Sequence, residues 1–241
     1  MNVIQPILRF NNPMGEDKLD EMINLLNITS DDTIVDIGGG NGEVLLKMIE
    51  KSNANGILID THKGLIETCR EKSKSLVESG KLLLVCQDAK EYLKTMELES
   101  IDCIVCMASS HVFDDYVNFI KEVKPYLKPD GFLLIGEGFW LKKPSEEYLK
   151  ILGGTESELM YHHENMEVPE TLGLTYLYAH IASQDDWNKF EGIFFLEEEL
   201  KALKMPEDKK KEHLKSMRSF RKVQYKLGRA TMGFGLYLFK K

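Results

Sequence analysis

The residues that invite chemistry begin with Val35-Asp36-Ile37-Gly38-Gly39-Gly40-Asn41-Gly42-Glu43, where an acidic residue precedes four glycines in a five-residue span. Glycines so placed let the main chain turn sharply, and they admit a ligand closer to the backbone than any Cβ would allow. Gly38, Gly39, Gly40, Asn41 and Gly42 therefore read as a cofactor seat. Further along come Asp60-Thr61, Gln87-Asp88-Ala89, Ser109-Ser110-His111 and Gly136-Glu137-Gly138. Asp60 lies about 24 residues after Asp36, the kind of spacing at which a carboxylate reaches both ribose hydroxyls of a bound nucleoside.

A dinucleotide-binding loop has the same setting, and the glycine register separates the two. That fingerprint needs glycines at its first, third and sixth positions. Counting from Gly38 the sixth is Glu43, and counting from Gly40 it is Leu45. A carboxylate where a pyrophosphate would meet a helix start is repelled by it. The loop favours a nucleoside without phosphate. His111 has a side chain that titrates near neutrality, so it is a candidate to orient an acceptor or take its proton. Glu137 is a candidate for substrate binding or for the same proton transfer.

The elements that must position these groups alternate through the first 140 residues. Thr33 to Gly38, Asn55 to Asp60, Leu82 to Cys86, Ile101 to Met107 and Phe132 to Gly136 are short apolar runs that read as strands. Between them Glu43 to Lys51, Lys63 to Ser79, Glu91 to Met96 and Asp115 to Leu127 read as helices, the last ended by the turn sequence Pro129-Asp130-Gly131. Strands this uniformly apolar belong to a parallel sheet covered on both faces, which predicts a doubly wound α/β fold. Leu174 to Ser183 and Thr231 to Phe239 are two more strands, an antiparallel pair closing one edge, with the charged helical stretch Gln184 to Leu227 between them. The expected organisation is one domain over 1–241: a core of 30–138, cap or substrate elements at 1–26 and 139–172, and edge strands with a helical insertion at 174–241. In such sheets ligands sit at the carboxyl ends of the strands, where the strand order reverses. All the groups named above fall there.

With those residues in place, the sequence resembles class I S-adenosylmethionine-dependent methyltransferases, whose first motif matches Asp36-Ile37-Gly38-Gly39-Gly40-Asn41-Gly42. The resemblance implies a Rossmann-like, seven-stranded sheet, mostly parallel with an antiparallel carboxyl-terminal edge strand, and S-adenosyl-L-methionine as cofactor. It implies that Asp36 lies near the ammonium group of that cofactor, that Asp88 accepts a bond from the adenine amino group beside Gln87 and Ala89, and that Ser109 and His111 lie near the reactive methyl. The tail Leu227-Gly228-Arg229-Ala230-Thr231-Met232-Gly233-Phe234-Gly235-Leu236-Tyr237 and the Trp-containing Ser183–Glu191 segment are similar to a bacterial and archaeal group of methyltransferases (type 11/25-like) of largely unassigned substrate. The amino terminus and Leu149 to Thr171 match nothing that fixes a substrate.

Composition bounds the rest. An apolar content of 43% is enough to fold, and a net charge of -8 disfavours general binding to nucleic acid or anionic membrane. No apolar run reaches the roughly 20 residues a bilayer requires, and Met1 to Phe10 lacks signal-peptide order. Cysteines 103 and 106 form Cys-x-x-Cys inside a strand, which sends them to opposite faces. They read as buried thiols of a cytoplasmic protein. Adjacent His162 and His163 diverge on a helix, and no metal is expected. The Lys- and Arg-rich stretch around 209–222 reads as a solvated helix with one buried face. The expected partner is a small-molecule acceptor. A cofactor-binding regulatory or scaffold protein, an NAD-dependent oxidoreductase and an RNA methyltransferase stay open as alternatives, and the acceptor and oligomeric state are not readable.

Overall fold

The computed structural model describes residues 10–241. The expectations placed on residues 1–9, as part of a cap and as lacking a signal sequence, lie outside the described residues. The chain gathers into two compact units. One holds 16–137, 163–180 and 236–241, and the other holds the described residues up to 15, 138–162 and 181–235.

In order, the elements are α1 (Glu16–Asn24), β1 (Thr33–Ile37), α2 (Glu43–Ser52), β2 (Asn55–Ile59), α3 (Lys63–Lys72), α4 (Lys74–Glu78), β3 (Leu82–Val85), α5 (Ala89–Leu93), β4 (Ile101–Met107), α6 (Tyr116–Val123) and β5 (Leu127–Trp140). They continue with α7 (Glu146–Leu152), α8 (His162–Thr171), β6 (Thr175–Ile181), α9 (Gln184–Ala202), α10 (Glu207–Lys226) and β7 (Met232–Lys240). The sheet runs β3-β2-β1-β4-β5-β7-β6. The first five of these strands are parallel, while β7 runs antiparallel to β5 and β6. Ile34 lies in register with Gly56 on one side and Cys103 on the other. At β1 and β4 the strand order reverses, so a crevice opens past Ile37 and Met107. Among the described residues no helix is long and apolar enough to cross a membrane.

Local chemistry explains where elements differ from expectation. The helix expected over Lys63 to Ser79 is two helices, broken at Ser73, whose hydroxyl bonds back to the Cys69 carbonyl at 2.7 Å. Such back-bonding competes with helix continuation. The next helix starts at Ala89, two residues early, because Asp88 caps it by accepting from the Glu91 N–H. Pro129-Asp130-Gly131, expected as a turn after the helix, lies within β5 instead. There Asp130 takes a φ of 67°, the register with β4 shifts between Ile101 and Cys103, and Asp130 and Gly131 bond the main chain of Lys241. β5 also runs on past Gly136 to Trp140.

The two late strands form where expected, and the carboxyl-terminal one lies one place in from the edge, with β6 outermost. Burial accounts for it: Gly233 to Phe239 are all buried, whereas Leu177, Tyr178 and Ile181 of β6 stay exposed.

Candidate functional site

The glycine loop leaves β1 bound to its neighbour: the Gly38 N–H donates to the Ile59 carbonyl at 2.8 Å. Gly38 has a φ of 66°, and a Cβ there would strike the Ser109 side chain. The reason for glycine is thus close approach between the ends of β1 and β4. Gly40 differs. Its φ is 57°, and the nearest atom to an added Cβ is the Leu65 Cδ1 at 3.8 Å, an ordinary contact, so glycine is needed there for the backbone conformation and not to avoid a clash.

Asp36, on β1 just before the loop, is buried and its Oδ1 has no hydrogen-bond partner. Burial, reinforced by the charge of Asp60, pushes its carboxyl up to about 7, while the backbone N–H of Leu45 works in the other direction. Asp60 ties two segments together, its Oδ2 accepting from the Gly40 N–H at 2.8 Å and its Oδ1 from the His62 N–H at 2.7 Å. Carboxylate oxygens keep further lone pairs for a ligand. Asp88 faces the same space while capping α5.

A cavity of about 200 Å³ joins the ends of β1 to β4. Of the residues singled out from sequence, it brings together Gly38, Asp60, Thr61, Gln87, Asp88, Ala89, Ser109 and His111. Asp36, Gly39, Gly40, Asn41, Gly42 and Glu137 are not on its wall. Asp36 and Gly42 are buried. Ile59 and Val112 complete the lining and were not foreseen. Ile59 ends β2 and Val112 lies in the 3-10 turn Ser110–Phe113 after β4, and sequence offers no sign that separates such an apolar wall residue from a core one. Ser109 donates to the Met107 carbonyl at 3.2 Å, next to Ala108, whose φ of 56° marks a sharp bend. His111 is exposed at the rim.

Glu137 belongs to another set of groups at the end of β5. It accepts a short hydrogen bond from the buried Ser110 hydroxyl. Nearby, the Tyr116 hydroxyl donates to the Asn165 carbonyl at 2.9 Å, and the Asn165 amide donates to the Tyr237 hydroxyl at 3.4 Å. Burial first, then the Glu137 charge, holds the Tyr116 phenol up. Burial likewise raises Tyr237, with the Glu137 charge adding to it against the Asn165 bond. Sequence reading found Glu137 but not Ser110, Asn165 or Tyr237, which come from three separate parts of the chain.

Glu43, invoked as a bare carboxylate repelling a pyrophosphate, is ion-paired with Lys72 of α3, so its charge is largely compensated and discriminates less.

Residues 35–135 match a family model described as a methyltransferase domain. The Escherichia coli K12 protein YjhP, called uncharacterized, is 23% identical over 194 residues, 78% of this chain and 75% of its own. The crystal structure of YjhP overlays with a TM-score of 0.82 at 22% identity, covering 98% of this chain and 97% of that one. A SAM-dependent methyltransferase from Thiobacillus denitrificans, crystallised with S-adenosyl-L-homocysteine, gives 0.82 at 24% identity, with 99% and 96% covered. A Haemonchus contortus phosphoethanolamine N-methyltransferase, in complex with phosphomonomethylethanolamine and S-adenosylhomocysteine, gives 0.67 at 17% identity, with 97% and 54% covered.

Proposed function

We propose, from the match of residues 35–135 to a methyltransferase-domain model and the fold shared with S-adenosylmethionine-dependent methyltransferases, that this chain transfers the methyl group of S-adenosylmethionine to a small-molecule acceptor. The observation that carries this reading is the 200 Å³ cavity, which gathers the ends of four consecutive strands behind a glycine loop. The residues fit the cofactor. Asp36 offers a buried carboxylate oxygen with no partner beside that loop, which suits an ammonium group reached directly or through water. Asp60 and Thr61 suit the ribose, and Asp88, with Gln87 and the main chain of Ala89, suits the adenine. Gly38 and Ser109 flank the space between.

S-adenosylmethionine supplies a methyl carbon activated by the positive charge on its sulfur. What remains for the chain is alignment of the acceptor and exclusion of water. His111, at the cavity rim, orients the acceptor or takes its proton. Glu137, held by the Ser110 hydroxyl, is the second candidate base. That the related Haemonchus enzyme is crystallised with a small phosphorylated amine supports a small acceptor. We read 1–241 as a single methyltransferase domain, since β5 and β7 each run through both units. Four free cysteines, three of them buried, suit the cytoplasm.

Calorimetry with S-adenosylmethionine, S-adenosylhomocysteine and NAD tests the reading. The two sulfur nucleosides should bind and NAD should not. Binding of NAD alone would reject the proposal, and tight sulfonium binding with no methyl transfer to any acceptor would make the chain a regulatory binder.

A further inference from the structure

The second unit contains a cavity of its own, of about 540 Å³, formed by α9, α10, the start of β7 and Asn11. Its size falls within the range of small-molecule sites. Trp187, Phe190 and Phe194 recur at helical spacing along one face of α9, and Phe220 of α10 joins them. Folding leaves two of these rings partly in water: Phe194 is 48% exposed and Phe220 37%.

The polar part of the lining has one sign. It includes the carboxylates of Glu191 and Glu197 and no lysine or arginine. Glu191 is already matched, because the Arg229 guanidinium lies 2.7 Å from its Oε2. That guanidinium also lies 5.1 Å from the centre of the Trp187 ring. The unit thus holds an internal example of a cation seated between an aromatic face and a carboxylate. Glu197 has no such contact: among the described residues its carboxylate makes no ion pair or hydrogen bond, and the Lys201 ammonium one turn along α9 acts on it only as a more distant charge.

We propose that this cavity binds an apolar amine, its ammonium against Glu197 and its hydrocarbon body against Phe190, Phe194 and Phe220. Aromatic faces attract a cation, and covering exposed rings adds hydrophobic gain. A carboxylate hydrogen-bonds an ammonium more strongly than a neutral hydroxyl. The competing occupant of such a surface is a second copy of this chain. A carboxylate with no contacting cation in a concave wall argues against it, since the cores of protein interfaces are depleted of charge. None of the groups that would hold the amine lines the strand-end cavity, so the amine site stands or falls apart from the methyltransferase reading.

The test titrates the full chain with 4-phenylbutylamine, 4-phenylbutan-1-ol and 4-phenylbutanoate, followed by calorimetry and by the two tryptophan indole N–H resonances. Trp140 donates its indole N–H to the Glu156 carbonyl at 2.8 Å and does not line the cavity, so it serves as an internal control. The amine should bind below millimolar concentration, at least tenfold tighter than the alcohol, shifting the Trp187 resonance and not that of Trp140. Glu197→Gln should erase the amine's advantage and leave the alcohol's affinity unchanged, while Phe220→Ala weakens both. Equal affinity for amine and alcohol, a shift confined to Trp140, no binding at all, or an intact preference in Glu197→Gln would each overturn the proposal. So would a dimer, dissociated by Phe194→Asp, that excludes the amine.

Discussion

The strand-end cavity and the helical cavity are made of different materials, and the difference bears on what each selects. Around the first, the walls are glycine backbone, short loops and carboxylates whose oxygens are already tied to main-chain N–H groups at the start of α3 and α5. Such a wall is rigid and reads a ligand by directed hydrogen bonds. Around the second, the walls are long side chains on two helices, with one carboxylate left over. That wall selects by area and charge, and it tolerates variation in shape. A chain built this way can hold one invariant ligand and one variable ligand at independent sites.

Four variants would break or sharpen this contrast. The largest effect should come from Asp36→Asn without cofactor. The folded carboxyl titrates at about 7, against 3.8 in the unfolded chain. Between those values the native state keeps a proton that the unfolded chain has lost. This group therefore favours folding fully below pH 4, and the advantage is lost as pH rises through 7. At about 1.4 kcal/mol per unit, the asparagine variant should gain up to about 4 kcal/mol over the parent at pH 8 and little at pH 4, read by urea unfolding at both. An equal gain at the two pH values would mean that burial of a charge at Asp36 is not what the parent tolerates.

Next, Trp187→Ala should cost about 3 kcal/mol, the usual loss for emptying an aromatic core position, since it removes a buried ring beneath Arg229. Cofactor affinity should stay unchanged if the two cavities are independent, and a parallel loss of S-adenosylhomocysteine binding would dissolve the contrast. Asp60→Ala, by removing charge-assisted hydrogen bonds and the tie to Gly40, should raise the cofactor dissociation constant roughly a hundredfold without moving amine affinity. The smallest effect belongs to His111→Ala. A tenfold lower kcat at unchanged cofactor affinity is expected for an exposed rim group that assists proton transfer, and an unchanged kcat would leave Glu137 as the candidate base.

Most of the strand-end cavity was legible in the sequence because its residues sit at the ends of apolar runs, where topology alone decides which way they face. Asp60, Asp88 and Ser109 were found by that rule. Glu43 was misjudged because Lys72 reaches it from the next helix, a pairing that spacing does not disclose. Ser110, Asn165 and Tyr237 meet only after β5, α8 and β7 have been assembled, so no window of sequence contains them. The helical cavity was hidden for another reason. Trp187, Phe190 and Phe194 follow the same periodicity as any helix facing a core, and the pattern does not tell a filled face from an empty one. In the fold, strand identities were readable from apolar runs, whereas the break at Ser73 and the passage of β5 through Pro129-Asp130-Gly131 depended on individual hydrogen bonds.

The inner position of β7 has a bearing on synthesis. The strand that joins β5 to β6 is made after both, with the α9–α10 pair translated in between. While that pair is emerging from the ribosome, each of the earlier two strands shows a row of open main-chain donors and acceptors, the template on which chains stick to one another. The nascent molecule should therefore depend on chaperone shielding most strongly during that interval, and slow codons across 182–231 should lower its yield more than slow codons elsewhere.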